Sequence, residues 1–312
     1  MKLKIINAIH AQGIGGVDQV FRNYTEVLVS EGHEVALLIS DNGNDKYAAP
    51  KIFKLRNYSQ ILDCLRLAWI LISYRPDVIF CHSNRLMKWM RIMKIFSSVK
   101  SIAVNHGITF KNSLHCDYVV SINSQIADLV VSAGHDKAAS FVLPNVIKVD
   151  EKYTAKKLKT APVIGIYGRI EPRKGFDILI KAAEILQKEG HDFCLKIGGF
   201  EVPGSYNLST LKELAKIHHI AEKCQFVGVV IDKKKFFEDV DIFCVPSREE
   251  PFGLVILEGF LHSTLVISSD SDGGKFLIKN GESGLLFANE DFSDLAQKIS
   301  EVVDQEKYHQ LT

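Results

Sequence analysis

The chain has 312 residues, of which 46% are hydrophobic and 24% are charged, and this balance excludes a disordered protein. Its 38 Lys and Arg residues and 37 Asp and Glu residues give a formal charge of +1, which argues against a dedicated nucleic-acid-binding protein. The length favours about two domains. The six cysteines form no zinc-ligand pattern, and neither a signal peptide nor a membrane-spanning segment is indicated, so a cytoplasmic location is expected.

The near-zero total hides a difference between the two halves of the chain. Residues 1–155 carry 18 Lys and Arg against 13 Asp and Glu, a net charge of +5. Residues 156–312 carry 20 against 24, a net charge of −4. The total therefore excludes a uniformly basic protein but permits a first half that faces an anionic surface.

Short β-branched runs alternate with amphipathic segments in the first half, as in βαβ units around a buried parallel sheet. Strand Leu3–Ile9 leads through the turn Gln12–Gly16 into helix Val17–Ser30, which ends before Gly32. Further predicted strands are His33–Ser40, Val78–His82, Ser101–Asn105, Tyr118–Ile122 and Ser140–Leu143, with helices at Ile61–Tyr74, Arg85–Phe96 and Ser124–Ala133.

The charged, aperiodic segment Lys148–Thr160 is predicted to connect two domains, residues 1–155 and 156–312. The second half repeats the pattern with strand Val163–Tyr167, turn Gly168–Gly175 and helix Phe176–Lys188. Its other predicted strands are Phe193–Ile197, Gln225–Val227, Asp241–Val245 and Leu265–Ser268, with helices at Asn207–Ile217, Lys233–Glu238, after Pro251, and Ser293–Val303. The sequence thus predicts an α/β protein of two Rossmann-like, doubly wound domains that face a cleft.

The turn Gly13-Ile14-Gly15-Gly16 stands between a predicted strand and a helix, where backbone amides can hold a phosphate or a carboxylate. Asp41 ends the second strand, where a dinucleotide-binding enzyme places its ribose-binding acid. Counted from Gly13, however, Asp18 stands where GxGxxG requires its third glycine. We therefore favour a turn that shapes a different ligand pocket over a nicotinamide site.

Two later loops are predicted at the sheet edge where open α/β proteins bind ligands. In the turn Gly168–Gly175, Arg169 and Lys174 can bind phosphate oxygens, or the turn is only a solvated basic loop. In Ser247–Glu258, a helix starting near Gly253 would present free amides to an anion. The two acids of this segment, Glu250 and Glu258, could then contact different parts of one ligand, or be a capping acid and an ordinary surface residue.

Three other features bear on function. The acidic pairs Asp270/Asp272 and Asp239/Asp241 could be taken for the DxD metal site known from one glycosyltransferase architecture, but chance pairs are common and no metal is expected. His106 follows an apolar strand and can donate, accept or titrate in a site, although a lone histidine is more often structural.

The third feature is the segment Val78–His115, which contains no acid and includes a helix in which cations and apolar side chains interleave. A basic amphipathic helix with a tryptophan at its border is typical of contact with an anionic membrane. The alternative is a Rossmann helix whose apolar side packs on the sheet. We favour membrane contact, through Arg85, Lys88, Trp89, Arg91 and Lys94.

Four segments, in this order, carry a resemblance to a known family. GGVDQVFRNYTEVLVSEGHEV is similar to an opening loop and helix, VLPNVIKVD to a segment before a hinge, and YGRIEPRKGFDILIKAA to a phosphate-binding turn. SREEPFGLVILEG is similar to an EX7E element whose acids are Glu250 and Glu258. Together they resemble glycosyltransferase family 4, the retaining nucleotide-sugar enzymes of GT-B architecture, over nearly the whole chain.

The resemblance implies a role for each of these side chains. Arg169 and Lys174 would bind the donor diphosphate in place of a metal ion. Glu258 would bind the ribose, and Glu250 would contact the transferred sugar. His106 matches a family histidine that contacts this sugar.

The resemblance also assigns backbone contacts. Gly15 and Gly16 would close over the phosphates, and Phe252, Gly253 and Leu254 would offer amides and packing to the donor. Two positions depart from the family pattern: Leu277 stands where relatives have an acid, and Val146 where they have a glycine.

The activity implied is a retaining, metal-independent transfer of a hexosyl or N-acetylhexosaminyl group, with a UDP- or GDP-sugar as substrate and no cofactor. Front-face attack without a protein nucleophile is expected, with domain closure excluding water. The acceptor would be a glycan or lipid-linked glycan of lipopolysaccharide or surface polysaccharide biosynthesis. The enzyme would then be cytoplasmic and peripheral on the inner face of the membrane, and the sequence leaves its oligomeric state open.

Two other functions fit the same pattern. A nucleotide-sugar epimerase of GT-B architecture would use the same nucleotide cleft with an acid/base pair, and would convert its donor without an acceptor. A non-catalytic sugar-nucleotide-binding or membrane-binding protein would keep the fold without turnover.

Overall fold

The computed structural model describes residues 1–10, 15–40, 51–56, 59–149, 156–303, 308 and 311. It divides into two compact units, Met1–Val146 and Ile147–Thr312. Gly13, Ile14, Asp41 and residues 150–155 of the predicted connector lie outside the described residues. The predicted division at residues 155 and 156 therefore stays a prediction.

The first unit is a seven-stranded parallel sheet with strand order β3-β2-β1-β4-β5-β6-β7. Its strands are β1 Lys4–Ala8, β2 Glu34–Ser40, β3 Lys51–Leu55, β4 Val78–Cys81, β5 Lys100–Asn105, β6 Tyr118–Ser121 and β7 Ser140–Val142. Its helices are α1 Gly16–Ser30, α2 Gln60–Tyr74, α3 Asn84–Met93 and α4 Ser124–Ser132, with 3-10 turns at Lys111–His115 and Lys137–Ala139.

Local chemistry sets the ends of these elements. Gly32 has a φ of 81° and ends α1, where its N–H donates to the Val29 carbonyl at 3.0 Å. The Ser59 side chain caps α2 by accepting a hydrogen bond from the Ile61 N–H. Because every strand pair is parallel, the carboxyl ends of β1, β4, β5 and β6 meet at one edge of the sheet.

The second unit is a six-stranded parallel sheet with strand order β10-β9-β8-β11-β12-β13. Its strands are β8 Val163–Ile170, β9 Cys194–Glu201, β10 Cys224–Gly228, β11 Ile242–Val245, β12 Leu265–Ser269 and β13 Leu285–Phe287. Its helices are α5 Phe176–Lys188, α6 Leu208–Ile217, α7 Lys233–Asp239, α8 Leu254–Leu261, α9 Asp272–Leu277 and α10 Phe292–Val303, with 3-10 turns at Pro172–Lys174 and Ala221–Lys223.

Two apolar clusters cover the two faces of this second sheet. Along β8, Ile164 and Ile166 belong to the cluster formed with α5 and α10, whereas Tyr167 packs against the cluster formed around Phe236 and Phe243. This alternation is the two-residue period of a strand that is buried on both faces. The prediction of two doubly wound, Rossmann-like domains is confirmed.

Some element predictions were incomplete. Strands β3 and β13 and helix α9 were not predicted, and β8 runs three residues beyond its predicted end at Tyr167. Arg169 therefore lies in a strand, opposite Phe200 of β9, and not in the predicted turn.

Candidate functional site

An ion pair joins two loops at the carboxyl edge of the second sheet. Lys174 ends the 3-10 turn after β8, and Glu250 lies in the loop after the neighbouring strand β11. The Lys174 Nζ is 2.5 Å from the Glu250 Oε2, and the two side chains are only 18% and 11% exposed. The sequence predicted both residues for one ligand, and the structure brings them into direct contact.

A glycine allows these loops to approach so closely. Gly175 has a φ of 69°, and a Cβ at this position would stand 1.8 Å from the Pro246 carbonyl oxygen. Only glycine fits both the left-handed backbone and the contact. The Gly175 N–H donates to the Pro172 carbonyl at 3.1 Å, which closes the turn that presents Lys174.

Arg248, which the sequence analysis did not select, also joins the two loops. Its guanidinium donates to both carboxylate oxygens of Asp177 at 2.9 and 2.8 Å, and to the Pro172 carbonyl at 2.5 Å. A further bond to Glu290 spans 3.1 Å. Burial raises the pKa of Asp177, but the hydrogen bonds and charge of Arg248 outweigh it and lower that pKa overall.

Nothing local in the sequence marks this contact, because Asp177 lies 71 residues before Arg248 and only the folded sheet brings them together. The planar, bidentate geometry is one that arginine alone provides. Arg248 therefore fixes the loop that carries Glu250 on the loop that carries Lys174.

Glu258 occupies a second, buried position on α8. Its carboxylate accepts hydrogen bonds from the Tyr167 hydroxyl and from the Lys233 ammonium group. Burial and the charge of Glu258 raise the pKa of the Tyr167 phenol well above its ordinary value, so that the hydroxyl stays a donor. Each acid of the pair thus has its own cation, Lys174 for Glu250 and Lys233 for Glu258.

The start of α8 between the two acids is held from both sides. Helix α8 begins at Leu254 after Gly253, whose φ is 91°. The Phe252 side chain is buried and packs on Phe276 with ring centres 5.7 Å apart. On the N-terminal side of Phe252, the Glu250 carbonyl accepts a hydrogen bond from the Gly273 N–H at 2.7 Å.

Arg169 and Leu277 have other contacts. The Arg169 guanidinium forms an ion pair with Glu171 at 3.3 Å, and Arg173 reaches the same Glu171 oxygen at 2.9 Å. Leu277 packs against the apolar cluster around Phe236. The hydrophobic side chain at position 277 thus fits its surroundings in this chain.

In the first unit, His106 is paired with a second histidine that the sequence analysis did not select. His82 follows β4, His106 follows the neighbouring β5, and the His82 Nδ1 lies 3.0 Å from the His106 Nε2. Desolvation lowers the pKa of His106 to about 4, and desolvation together with His106 lowers that of His82 well below its ordinary value. Both rings are therefore neutral near pH 7, and one proton is shared between the facing nitrogens.

Of the predicted glycine contacts in the first unit, Gly15 caps α1 in an extended conformation and Gly16 is the first residue of that helix. A Cβ added at Gly15 would meet no atom of the described residues within 4 Å. None of the described residues therefore crowds Gly15.

Three of the four candidate metal residues have hydrogen-bond or ion-pair partners within the second unit. Asp241 is buried and accepts a hydrogen bond from the Val163 N–H at 2.8 Å, and Asp239 pairs with Lys196 at 2.7 Å. Asp270 accepts from the Asn289 N–H at 2.9 Å. Within the described ranges, no group of three or more His, Cys, Asp or Glu side chains is arranged to hold a metal ion.

The structure of helix α3 contradicts one part of the predicted membrane contact, the position of Trp89. Trp89 is only 5% exposed because it belongs to the same stripe as Leu86, Met90 and Met93, which packs inward. The prediction that Trp89 borders a membrane is wrong. Arg85, Lys88, Arg91 and Lys94 are exposed, and membrane contact through these cations stays a prediction. No helix among the described residues has both the length and the apolar character to span a membrane.

Two parallel Rossmann-like sheets in one chain, with paired cations and acids at the carboxyl edge of the second, are the architecture of the GT-B fold. Residues 149–312 match the family model of the group 1 glycosyl transferases, and residues 14–151 match that of Glycosyltransferase Family 4. Because the first match alone covers more than half of the chain, the chain belongs to the group 1 glycosyl transferases. The resemblance recognised in the sequence is confirmed.

One of two similar relatives matches nearly the whole chain, and the other matches about half of it. The lipopolysaccharide core biosynthesis glycosyltransferase LpsE of Rhizobium meliloti is 26% identical over an alignment of 304 residues, which covers 93% of this chain and 86% of that protein. The capsular polysaccharide biosynthesis glycosyltransferase CapM of Staphylococcus aureus is 30% identical over 160 residues, which are 51% of this chain and 41% of that protein.

Among solved structures, HepE of Anabaena in complex with UDP and glucose superposes with a TM-score of 0.86 at 16% identity. The match covers 99% of this chain and 92% of that one. The lipopolysaccharide outer core galactosyltransferase WaaB superposes with a TM-score of 0.76 at 17% identity, covering 100% and 94%. At these identities the likeness establishes the GT-B fold.

Proposed function

We propose that this glycosyltransferase transfers a sugar from a UDP- or GDP-linked donor to a glycan or lipid-linked acceptor of lipopolysaccharide or surface polysaccharide biosynthesis, with retention of configuration. The observation that carries the proposal is the largely buried Lys174–Glu250 pair in a member of this family. The names of LpsE and CapM support the class of acceptor. The UDP and glucose bound to HepE support the class of donor.

The chemistry needs stabilisation of a leaving nucleoside diphosphate. In the proposed reaction the acceptor hydroxyl attacks the anomeric carbon on the face from which the diphosphate departs. The bond from this carbon to the phosphate oxygen breaks, its electron pair stays on the diphosphate, and the hydroxyl proton moves to that oxygen. Lys174 and the free amides at the start of α8 offset the charge that develops there. Arg169 is proposed as a second diphosphate contact once it leaves Glu171.

The two acids would bind neutral parts of the donor. Glu250 is proposed to accept hydrogen bonds from hydroxyls of the transferred sugar while it holds Lys174 in position. Glu258 is proposed to accept from the ribose hydroxyls, since each carboxylate oxygen has a further lone pair beside those used by Tyr167 and Lys233. Gly15, Gly16 and His106 are proposed as contacts from the first unit, and amides of Phe252, Gly253 and Leu254 as contacts from the second.

No cofactor or metal is required in this scheme, in which Lys174 and Arg169 supply the positive charge that a divalent cation supplies elsewhere. The site is proposed to work at a membrane surface on the cytoplasmic side, where a lipid-linked acceptor is found. These assignments are tested together by one panel of reactions.

Purified protein is incubated with UDP- and GDP-sugars, and release of the nucleotide is measured with and without EDTA and a lipid-linked glycan acceptor. We expect one donor to release its nucleotide, EDTA to leave the rate unchanged, and the anomeric proton coupling of the product to show retention by NMR. Conversion of a donor sugar without nucleotide release would instead assign an epimerase. Binding without turnover would assign a non-catalytic protein, and absence of all nucleotide binding would refute the proposal.

A further inference from the structure

Helix α2 leaves an apolar row of side chains uncovered. Ile61, Leu65, Trp69 and Ile72 are each more than half exposed and recur every three or four residues, so they form one row along the helix. Leu62 extends this row at the first turn and is also exposed. The opposite side of α2 packs into the domain through Asp63, Leu67, Ile70, Leu71 and Tyr74. The helix is therefore apolar on two faces, of which the fold buries one.

The exposed side of α2 carries no acid. Asp63 is the one acid of the helix; it is buried, and its carboxylate accepts a hydrogen bond from the Arg56 N–H at 3.0 Å. Exposed apolar area without acids and with a tryptophan is typical of an interfacial helix. We call the row Ile61, Leu62, Leu65, Trp69 and Ile72 the α2 stripe.

Exposed cations lie on the next helix of the same face. The connections β3–α2–β4 and β4–α3–β5 both run in the same direction along the sheet, so right-handed crossovers place α2 and α3 on one face. Lys88 and Arg91 of α3 are exposed, and Arg85 is held beside the His10 ring at 2.8 Å. Because α3 contains no acid and the one acid of α2 is buried, these two helices present an apolar row and exposed cations.

We propose that the α2 stripe and the exposed cations of α3 form a docking surface for an anionic lipid bilayer. Trp69 and its apolar neighbours enter the boundary between headgroups and acyl chains, while Lys88 and Arg91 contact lipid phosphates. The biological use of this surface, delivery of the site to a lipid-linked acceptor, rests on the proposed function. The surface itself follows from exposure and charge.

The charges favour a bilayer over a second copy of the chain. Two copies that met through this face would bring two sets of α3 cations toward each other, and like charges in an interface cost affinity. An anionic headgroup layer attracts the same cations, at about fivefold in partitioning for each lysine or arginine. One arrangement of residues therefore supports bilayer contact and opposes self-association.

The two tryptophans of the chain make the proposal measurable, because Trp69 is 63% exposed and Trp89 is buried. Tryptophan emission is recorded with vesicles of phosphatidylglycerol and phosphatidylcholine, some with brominated acyl chains. We expect a blue shift and bromine quenching in the natural protein, loss of both in Trp69→Phe, and a weaker response on phosphatidylcholine alone or in high salt.

Vesicle co-sedimentation supplies the second measurement. Trp69→Glu should weaken partitioning by about tenfold or more, since it removes a large inserted apolar side chain. Lys88→Gln combined with Arg91→Gln should weaken it by about 25-fold at low salt. The matched control is Ile217→Glu, an exposed apolar position at the end of α6, which should bind vesicles as the natural protein does.

Equal vesicle binding by the natural protein and Trp69→Glu, or no vesicle binding by either, would overturn the proposal. A dimer seen by light scattering that Trp69→Glu dissociates, without vesicle binding, would assign the stripe to a second copy and also overturn it. Circular dichroism verifies that each variant is folded. Nucleotide release in the absence of vesicles should be unchanged in Trp69→Glu, so failure of the proposed activity is seen separately from failure of the docking surface.

Discussion

The carboxyl edges of the two sheets present different kinds of polar group. At the edge of the second sheet the buried or half-buried groups are ion pairs, formed by Lys174 with Glu250 and by Arg248 with Asp177. Among the described residues at the edge of the first sheet, the buried groups are neutral, as in the facing rings of His82 and His106. A charged edge suits a ligand with phosphates, and a neutral edge suits hydroxyl groups.

The neutral edge also has unused hydrogen-bonding capacity. Four of its buried side chains each keep one polar atom without a hydrogen-bond partner among the described residues: Asn7 Oδ1, His82 Nε2, Asn105 Oδ1 and Ser121 Oγ. A buried polar atom without a partner costs about 1–3 kcal/mol, so such atoms are expected to meet water or ligand hydroxyls. The charged edge, in contrast, has its partners in place before any ligand arrives.

The largest expected effect comes from removing a charge from the charged edge. Lys174→Met should lower the rate of nucleotide release by about 10²–10³-fold, because a preorganised cation no longer offsets the charge of the leaving diphosphate. Steady-state kinetics on the preferred donor measures this. Lys279→Met, which breaks the exposed pair with Glu282, is the control and should leave the rate unchanged. A Lys174→Met enzyme with full activity would contradict the assigned role of this edge.

Arg248→Ala tests the contact that holds the two loops of the charged edge together, without removing a proposed ligand contact. Loss of the bidentate bond leaves the Asp177 carboxylate unpaired and mostly buried, which should lower the free energy of unfolding by about 2–3 kcal/mol. Urea unfolding measures the change. Lys216→Ala, which breaks an exposed pair with Glu213 within one turn of α6, should cost only about 0.5 kcal/mol. Equal losses in the two variants would show that Arg248 does not join the loops in solution.

The neutral edge should respond to pH. With a folded pKa of about 4 against about 6.5 in the unfolded chain, His106 binds a proton in the unfolded state first. The neutral His106 ring therefore contributes its whole share to the free energy of unfolding above about pH 6.5. This contribution falls as the pH is lowered toward 4, and about 2 kcal/mol of it is lost at pH 5. His106→Gln should reduce the loss of stability between pH 7 and pH 5 in urea titrations. An identical loss in the variant would mean that the imidazole is not desolvated.

The smallest effect is expected from removing the Tyr167 hydroxyl, a neutral group that donates a hydrogen bond to the Glu258 carboxylate. Tyr167→Phe removes one of the two hydrogen bonds that orient Glu258 and should weaken nucleotide binding by about three- to tenfold, with little change in turnover of bound donor. Calorimetric titration with UDP and GDP measures the affinity. Tyr118→Phe, on an exposed strand position, is the control and should bind as the natural protein does. Tighter binding in Tyr167→Phe would indicate that the hydroxyl competes with the ribose.

Sequence patterns predicted the helices and strands whose apolar residues recur with a regular period. They missed those whose structure depends on the neighbouring sheet. Helix α5 has its predicted bounds because a glycine precedes it and its apolar positions repeat with helical period. Strand β3 was missed because it is an edge strand of five residues, two of them lysines, and α9 because it contains two glycines. Local propensity is weak in both, and the neighbouring sheet decides the structure.

The site was predictable where a motif carries it. Lys174, Glu250 and Glu258 stand in two motif segments, whereas Arg248 and His82 act through partners that are distant in sequence. The membrane prediction failed at Trp89 because apolar residues on two sides of a helix do not reveal which side packs inward. The same ambiguity hid the exposed row of α2, whose other face is equally apolar.

Hydrogen–deuterium exchange with and without UDP tests most directly whether the charged edge holds the nucleotide. We expect UDP to slow the exchange of amides in the turn Pro172–Gly175 and in the segment Glu250–Glu258, which carry the proposed diphosphate and ribose contacts. Glucose alone should leave both segments unchanged. Unchanged exchange in both segments at saturating UDP and GDP, or protection confined to the first unit, would contradict the account.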